Sequence, residues 1–374
     1  MPKLCLLKFR RSVFRALSGM KFLLKSKYKA VIVAVTATIT ACSVNKERDL
    51  YLKSLDVETE ILSYADSFNI EQYDMFQVGN VVKADDDWLI LSSSKGDYNL
   101  LFLNLAVPEH FFVIRRGRGP GEMIQGGSLH KYVGAVFYYD VNNATCIRID
   151  CVETHKKQSL VADTVGIFNQ GASRPVYMAS CGSEFFISGN MTDYNAWYSC
   201  YDSTGRVLSS VPSLNCDGIP RRDKMRLFSL MLSSKYVSKP DGTKVCVANV
   251  ATASLSFSEL HSGKLTEYKR YEYDASGNGV YFGPDAISAF HGMDADDENV
   301  YVIYSGHKMK NDVLPANECR HLIVYDWNGN PVKHYLLNRN VSSVHIDGGS
   351  VWCASTYPES CVYRFEIQRD IGIE

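Results

Sequence analysis

The sequence predicts an all-β fold: a six-bladed β-propeller of four-stranded antiparallel blades behind an N-terminal export signal. Three observations carry that expectation. An apolar strand announced by a polar turn recurs six times at a spacing near 50 residues. A second, glycine-centred hairpin recurs later in the same unit. No 15-residue stretch beyond the export signal holds a helical period. The 23 Tyr and 17 Phe among 374 residues fit the same picture, because aromatic rings pack well on a pleated surface.

The chain opens with a leader. Lys21, Lys25, Lys27 and Lys29 form a cationic flank before the apolar run from Ala30 to Thr40. That run is shorter than the roughly 20 residues a membrane-spanning helix needs, and it has the proportions of a secretory signal. Thr38-Ile39-Thr40-Ala41-Cys42 places small residues at the cut and a cysteine directly after it, which resembles the lipobox of bacterial lipoproteins. The resemblance implies a lipoprotein signal peptide over residues 1–41 and a diacylglycerol on the thiol of Cys42. Met20 serves as well as Met1 as a start, because the flank and the apolar core both follow it. Residues 42–57 read as a lipidated polar tether and 58–374 as the propeller.

Charge excludes one partner class. The leader holds nine of the 40 basic residues and no acidic one, so processing leaves 31 against 41 acids, a net of about −10. A chain of that sign has no electrostatic footprint for nucleic acid. Of the eleven cysteines, Cys5 leaves with the leader, Cys42 takes lipid and nine remain. None forms a Cys-x-x-Cys pair, so zinc-ribbon and thioredoxin-like readings fail. Most sit in apolar strand patterns, where a free thiol behaves as a small buried hydrophobe. Cys146 with Cys151 and Cys353 with Cys361 are the pairs placed to bridge.

Taking Trp88, Val136, Phe185, Val245, Val300 and Val351 as markers of the repeating strand, the steps are 48, 49, 60, 55 and 51. Asp- and Gly-rich turns precede them, as at Asp85-Asp86-Asp87 and Asp347-Gly348-Gly349, and such turns are hairpin signals. The second hairpin recurs at Tyr201–Leu208, Leu260–Leu265 and Tyr325–Val332. Two hairpins per period give four strands per unit and one propeller blade. The 60-residue step implies an insertion around residues 215–231. The last unit offers only three strands, and a ring must hide its edges. The early segment 60–70 is therefore expected to complete the final blade.

The most distinctive motif is Arg115-Arg116-Gly117-Arg118-Gly119-Pro120-Gly121-Glu122, between the outer strand of blade one and the start of blade two. That crossover lies on a face where the channel opens. Its glycines let backbone approach a ligand and its guanidinium groups can grip carboxylate or phosphate; equally, the arginines can pair with Glu122 in a tight crossover. Arg116, Arg118 and Glu122 are the candidates there. His130 and His291 join them as residues expected to begin inner strands near the channel.

With the lipobox and the fifty-residue β units, the Gly117–Glu122 turn and the closing Leu322–Gly329 strand and hairpin resemble one family. These are the TolB-like six-bladed β-propeller lipoproteins of Gram-negative gut anaerobes, and the similarity covers about residues 42–367. It implies a fold and a location, with lipid attachment at Cys42 as the only assigned role, and no established reaction.

Other chemistry is thinly represented. The nine histidines are scattered, with no His-Glu-x-x-His or i,i+4 pair to hold zinc. The acidic runs Asp85–Asp87 and Asp294–Glu298 lack calcium-loop spacing, and no Gly-x-Ser-x-Gly elbow follows a strand. The sequence therefore calls for no metal, no cofactor and no enzyme. Its expectation is a binding module in the cell envelope, attached to a membrane by lipid and engaging a protein or glycan. The alternative is a hydrolase or lyase with its site at the channel mouth.

Overall fold

The computed structural model describes residues 50–75, 77–124, 126–168, 175–182, 184–190, 193, 195–213, 233–272, 286–309 and 318–367. Cys42, the leader and the expected insertion lie outside them.

The described chain begins with a short helix, α1 (Leu50–Ser54), then β1 (Thr59–Leu62) and β2 (Tyr64–Asn69). Blade one is β3 (Val78–Lys83), β4 (Trp88–Ser93), β5 (Tyr98–Asn104) and β6 (His110–Arg115). Blade two is β7 (Gly126–Tyr132), β8 (Ala135–Asp140), β9 (Thr145–Ile149) and β10 (Ala162–Ile167), with helix α2 (Cys151–Lys157) between the last two strands. Blade three is β11 (Pro175–Cys181), β12 (Phe185–Asn190), β13 (Ala196–Asp202) and β14 (Val207–Pro212). Blade four is β15 (Lys235–Ser238), β16 (Lys244–Ala248), β17 (Leu255–His261) and β18 (Lys264–Tyr271). Blade five is β19 (Phe290–Ala295), β20 (Asn299–Tyr304), β21 (Cys319–Asp326) and β22 (Pro331–Val341). Blade six is β23 (Ser343–Asp347), β24 (Ser350–Ser355) and β25 (Cys361–Glu366). Every marker of the sequence repeat falls in the second strand of its blade.

The inner strands β3, β7, β11, β15, β19 and β23 each touch the next, and β23 returns to β3, so the ring closes. Closure uses the N-terminal segment, but in two pieces. β2 pairs antiparallel with β25 as the outer strand of blade six, as the missing strand required. β1 instead adds parallel to β22, giving blade five a fifth strand. The expected single extended segment is thus shared between two blades.

Apolar packing explains why the strands read as near-continuous hydrophobic runs. The described residues form six core clusters, one at each blade–blade interface. A middle strand is covered on both faces by neighbouring blades, so β4 is buried at all six positions. The tether reading of residues 42–57 meets packed structure at its end. Tyr51 and Leu55 are buried between blades four and five, and the Tyr51 ring lies edge-on to Phe290 at 5.4 Å.

The acidic hairpin tips are turn formers. Asp85 Oδ1 accepts the N–H groups of Asp87 and Trp88, both at 3.0 Å. Asp296 treats Glu298 and Asn299 the same way, at 3.0 and 2.8 Å. Helix α2 follows an Asp-x-x-Glu start: Asp150 caps the N–H of Glu153 at 2.9 Å. The eight described cysteines of the body are all free, including the two pairs placed to bridge.

Candidate functional site

The channel has two mouths, and the blade geometry decides what reaches each. On one face the inner strands begin and the blade-to-blade crossovers arrive. On the other the inner strands end in hairpin turns.

The Arg115–Glu122 crossover frames the first face. Near the end of β6 Ile114 has a φ of +61°, unfavourable for a β-branched residue. Asn99 stabilises it by donating from Nδ2 to the carbonyls of Ile114 and Met123, at 3.3 and 2.8 Å. Arg116 donates to the carbonyls of Gly96, Ile124 and Ser93 at 2.9, 2.9 and 3.0 Å. Glu122 accepts the Gly119 N–H at 2.8 Å, and its carboxylate occupies the space a β-carbon on Gly117 would need. So Arg116 and Glu122 have their hydrogen bonds taken up by backbone. Arg118 is exposed and makes no hydrogen bond or ion pair among the described residues.

Inside that rim lies a cavity of about 520 Å³, lined by Asn80, Ser128, Tyr177, Lys235, His291 and Thr356 among others. Small-molecule sites run from roughly 300 to 1,000 Å³, so this mouth has ligand dimensions. Lys235 carries the only formal charge among its described lining residues. Its ammonium lies 4.7 Å from the centre of the Tyr177 ring. Burial without a carboxylate pulls its pKa down to about 8. His291 is hydrogen-bonded through Nε2 to Ser288 Oγ. Burial, then the charge of Lys235, then His307, push its pKa to about 3, so the ring is neutral.

The opposite mouth is smaller, about 250 Å³. His130 lies in its wall, fifth of the seven residues of β7. Its Nε2 accepts the Ser180 N–H at 3.0 Å and sits 3.0 Å from Ser180 Oγ, while Nδ1 is buried without a partner. Burial drives its pKa to about 4, with the distant pull of Asp294 opposing. This serine–histidine pair joins two blades, but Ser180 is itself buried and no group orients Nδ1, so it lacks the parts of a nucleophile–base set. Across the ring, His345 Nδ1 meets Asp294 Oδ2 at 2.7 Å, the same oxygen accepts the Ile346 N–H at 2.8 Å, and His345 Nε2 is buried and unpartnered. Asp347 binds Lys83 at 2.9 Å and Lys131 at 3.6 Å. Burial works against charge at Lys83, but the Asp347 carboxylate outweighs it and the lysine pKa is raised. These contacts tie blade five to six, six to one and six to two.

The two candidate histidines therefore stand at opposite ends of the channel, and only His291 shares a face with the arginine crossover. Lys235, Tyr177 and His345 escape a reading of the sequence, and Asp294 enters it only as part of an acidic run. The one signal for Lys235 is a charged residue opening the apolar strand Lys235-Tyr236-Val237. Among the described residues no group of three or more His, Cys, Asp or Glu is placed to hold a metal, and no helix is long and apolar enough to cross a membrane.

A family profile described as TolB-like 6-blade propeller-like matches residues 70–348. No curated protein matches the sequence. Among solved structures, a protein of Bacteroides fragilis described as exported is similar at 13% identity over 87% of this chain and 98% of its own, with a TM-score of 0.47. Hydrazine synthase of Kuenenia stuttgartiensis is similar at 11% identity over 79% and 97%, TM-score 0.47. The WD40 domain of Neurospora crassa Pan2 is similar at 8% identity over 83% and 98%, TM-score 0.45. These likenesses assign no chemistry to this chain.

Proposed function

The chain belongs to the TolB-like six-blade propeller family, and from that premise we propose a lipid-anchored, extracytoplasmic binding module that takes its ligand at the Lys235 mouth of the channel. The observation that carries the reading is a ligand-sized cavity on the ring axis, walled by polar side chains and one unpaired cation. The larger volume favours this mouth over the opposite one. In this reading Cys42 holds the body at a membrane. Arg116 and Glu122 shape the rim, and Arg118 is free to touch a bound molecule. The partner is a glycan or a protein segment narrow enough to enter.

The anchor is tested by radiolabelled palmitate, which enters the protein in a lipoprotein-processing host and fails to enter Cys42→Ser. The mouth is tested by Asn80→Trp, which fills the cavity; retention of an oligosaccharide or peptide library by the parent protein but not by the variant supports it. Equal retention by both would end it.

One observation favours a hydrolase or lyase as the second reading. A histidine oriented by a carboxylate, with its other nitrogen unengaged, is what a general base requires, and Asp294 with His345 supplies that. Turnover of a glycan or ester that disappears in both Asp294→Asn and His345→Gln would replace the binding reading.

A further inference from the structure

Resting on the reading that a ligand enters this mouth, we infer that the ligand presents an anionic oxygen group, a carboxylate or a phosphate, to the ammonium of Lys235. Lys235 opens an inner strand, so its side chain lies toward the ring axis, where it lines both the mouth and the narrower space behind it. Its ammonium makes no hydrogen bond or ion pair with any described residue. The one interaction of that ammonium among the described residues is with the face of Tyr177.

The other channel lysines differ. Lys83 and Lys131 share the carboxylate of Asp347, and Lys83 also pairs with Asp86. No Asp or Glu is among the described lining residues of the Lys235 mouth. An ammonium there keeps three donors and has lost much of its water, and a charge in that state is costly until an opposite charge arrives. Tyr177 from β11 and His291 from β19 face it, and burial keeps the His291 ring neutral. A depressed lysine pKa agrees with the geometry.

The surroundings suit an oxyanion. Asn80 brings an amide donor to the same lining, while the Ser128 and Thr356 hydroxyls already donate to the Met178 carbonyl and to Glu318 Oε1. A neutral sugar would find hydrogen bonds in this cavity but would leave the lysine charge uncompensated. A sugar acid or a phosphorylated group would satisfy both. Charge-assisted hydrogen bonds are roughly twice as strong as neutral ones, so the anion should be selected.

The test is calorimetric titration of the purified full chain at pH 7 with glucuronate, inorganic phosphate and glucose as probes. At least one anion binds and glucose at equal concentration binds at least tenfold more weakly. Lys235→Met weakens the anion about tenfold or more, while Lys235→Arg retains part of the affinity. The tighter of the two anions distinguishes a carboxylate from a phosphate ligand. Because Lys235→Met removes a desolvated charge, it raises the melting temperature, which separates lost binding from lost folding. No heat from either anion, or glucose bound as tightly as glucuronate, overturns the inference. So does an unchanged anion affinity in Lys235→Met. If Asn80→Trp abolishes binding of every probe and Lys235→Met of none, the anion claim falls and the mouth stands. If Asn80→Trp leaves all binding intact, the mouth reading itself falls.

Discussion

The carboxylate of Glu122 fills the space that a β-carbon on Gly117 would occupy, while its Oε2 holds the Gly119 N–H at 2.8 Å. The most conspicuous motif of the sequence is therefore a loop closed on its own backbone. Glu122→Ala and Gly117→Ala should each destabilise the protein by about 1–3 kcal/mol, the cost of leaving a part-buried polar group unsatisfied or displacing it. Glu122→Gln, which keeps an acceptor oxygen, should cost less. Urea unfolding of the three variants checks this; unchanged midpoints for Glu122→Ala and Gly117→Ala would return the motif to a ligand role.

A turn at the smaller mouth is built against its residue type. Val133 and Gly134 have φ of +47° and +75° between the paired residues Tyr132 and Ala135, a type I′ hairpin turn. Valine is poorly suited to that position and asparagine is well suited. Val133 is 68% exposed, so no packing offsets the strain. Val133→Asn should stabilise by about 1 kcal/mol, read as a rise in melting temperature.

The six-bladed ring was legible because it depends on two local patterns that survive without identity: the acidic turn and the apolar strand behind it. Asp85 and Asp296 close their turns with their own carboxylates, so the turns leave a readable residue. Closure by residues 60–70 was legible from the missing strand of blade six. The parallel docking of β1 on β22 was not, because Thr59–Leu62 shows little apolar face: Ile61 is exposed, Leu62 is only partly buried against the core, and the strand is held largely by backbone pairing. The capped helix α2 was missed because seven residues are too few for a period, although Asp150 and Glu153 spell its cap. At the site, Arg116 drew attention by composition, yet the proposed site rests on Lys235, whose meaning comes from which blades surround it. No single stretch of chain contains Lys235, Tyr177 and His291.

The N-terminal segment should contribute stability beyond its length. Tyr51 packs on Phe290 and Tyr304 and its hydroxyl meets that of Tyr325. Tyr51→Ala should cost about 3 kcal/mol or more, as large-to-small changes in a core do. An exposed control, Ile61→Ser, should cost little. Equal effects from the two would contradict the packing described.

Acid should weaken the fold in a defined window. Burial holds His130 at about 4 and His321 at about 3, and His291 near 3 with Lys235 adding to the effect of burial. All three are neutral in the folded protein and protonate near 6.5 when unfolded, so the unfolded state binds more protons below that pH. Stability should be unaffected by these groups above pH 7 and fall as pH drops from 6.5 toward 3. His321 Nδ1 meets His334 Nε2 at 2.9 Å, and His334 Nδ1 meets Thr59 Oγ1 at 2.9 Å, so proton uptake there also disrupts the contact of β1 with blade five. Melting temperatures between pH 8 and 4 provide the check; a flat profile would show that the rings are hydrated.

The two mouths should be independent. Asp294→Ala removes the acceptor of His345 and should lower stability by about 1–3 kcal/mol while leaving anion affinity at the Lys235 mouth within twofold. Parallel unfolding and titration measurements decide it, and a large affinity loss would mean the channel acts as one site.

The unpaired charge of Lys235 can be measured without knowing any ligand. Competitive acetylation of the full chain across pH 6–11, with the modified peptide quantified by mass spectrometry, reports the amine's protonation directly. The account predicts half-protonation near pH 8 and a shift to higher pH when glucuronate or phosphate is bound. Titration near 10.5, the value of an ordinary lysine, with no response to either anion, would contradict it.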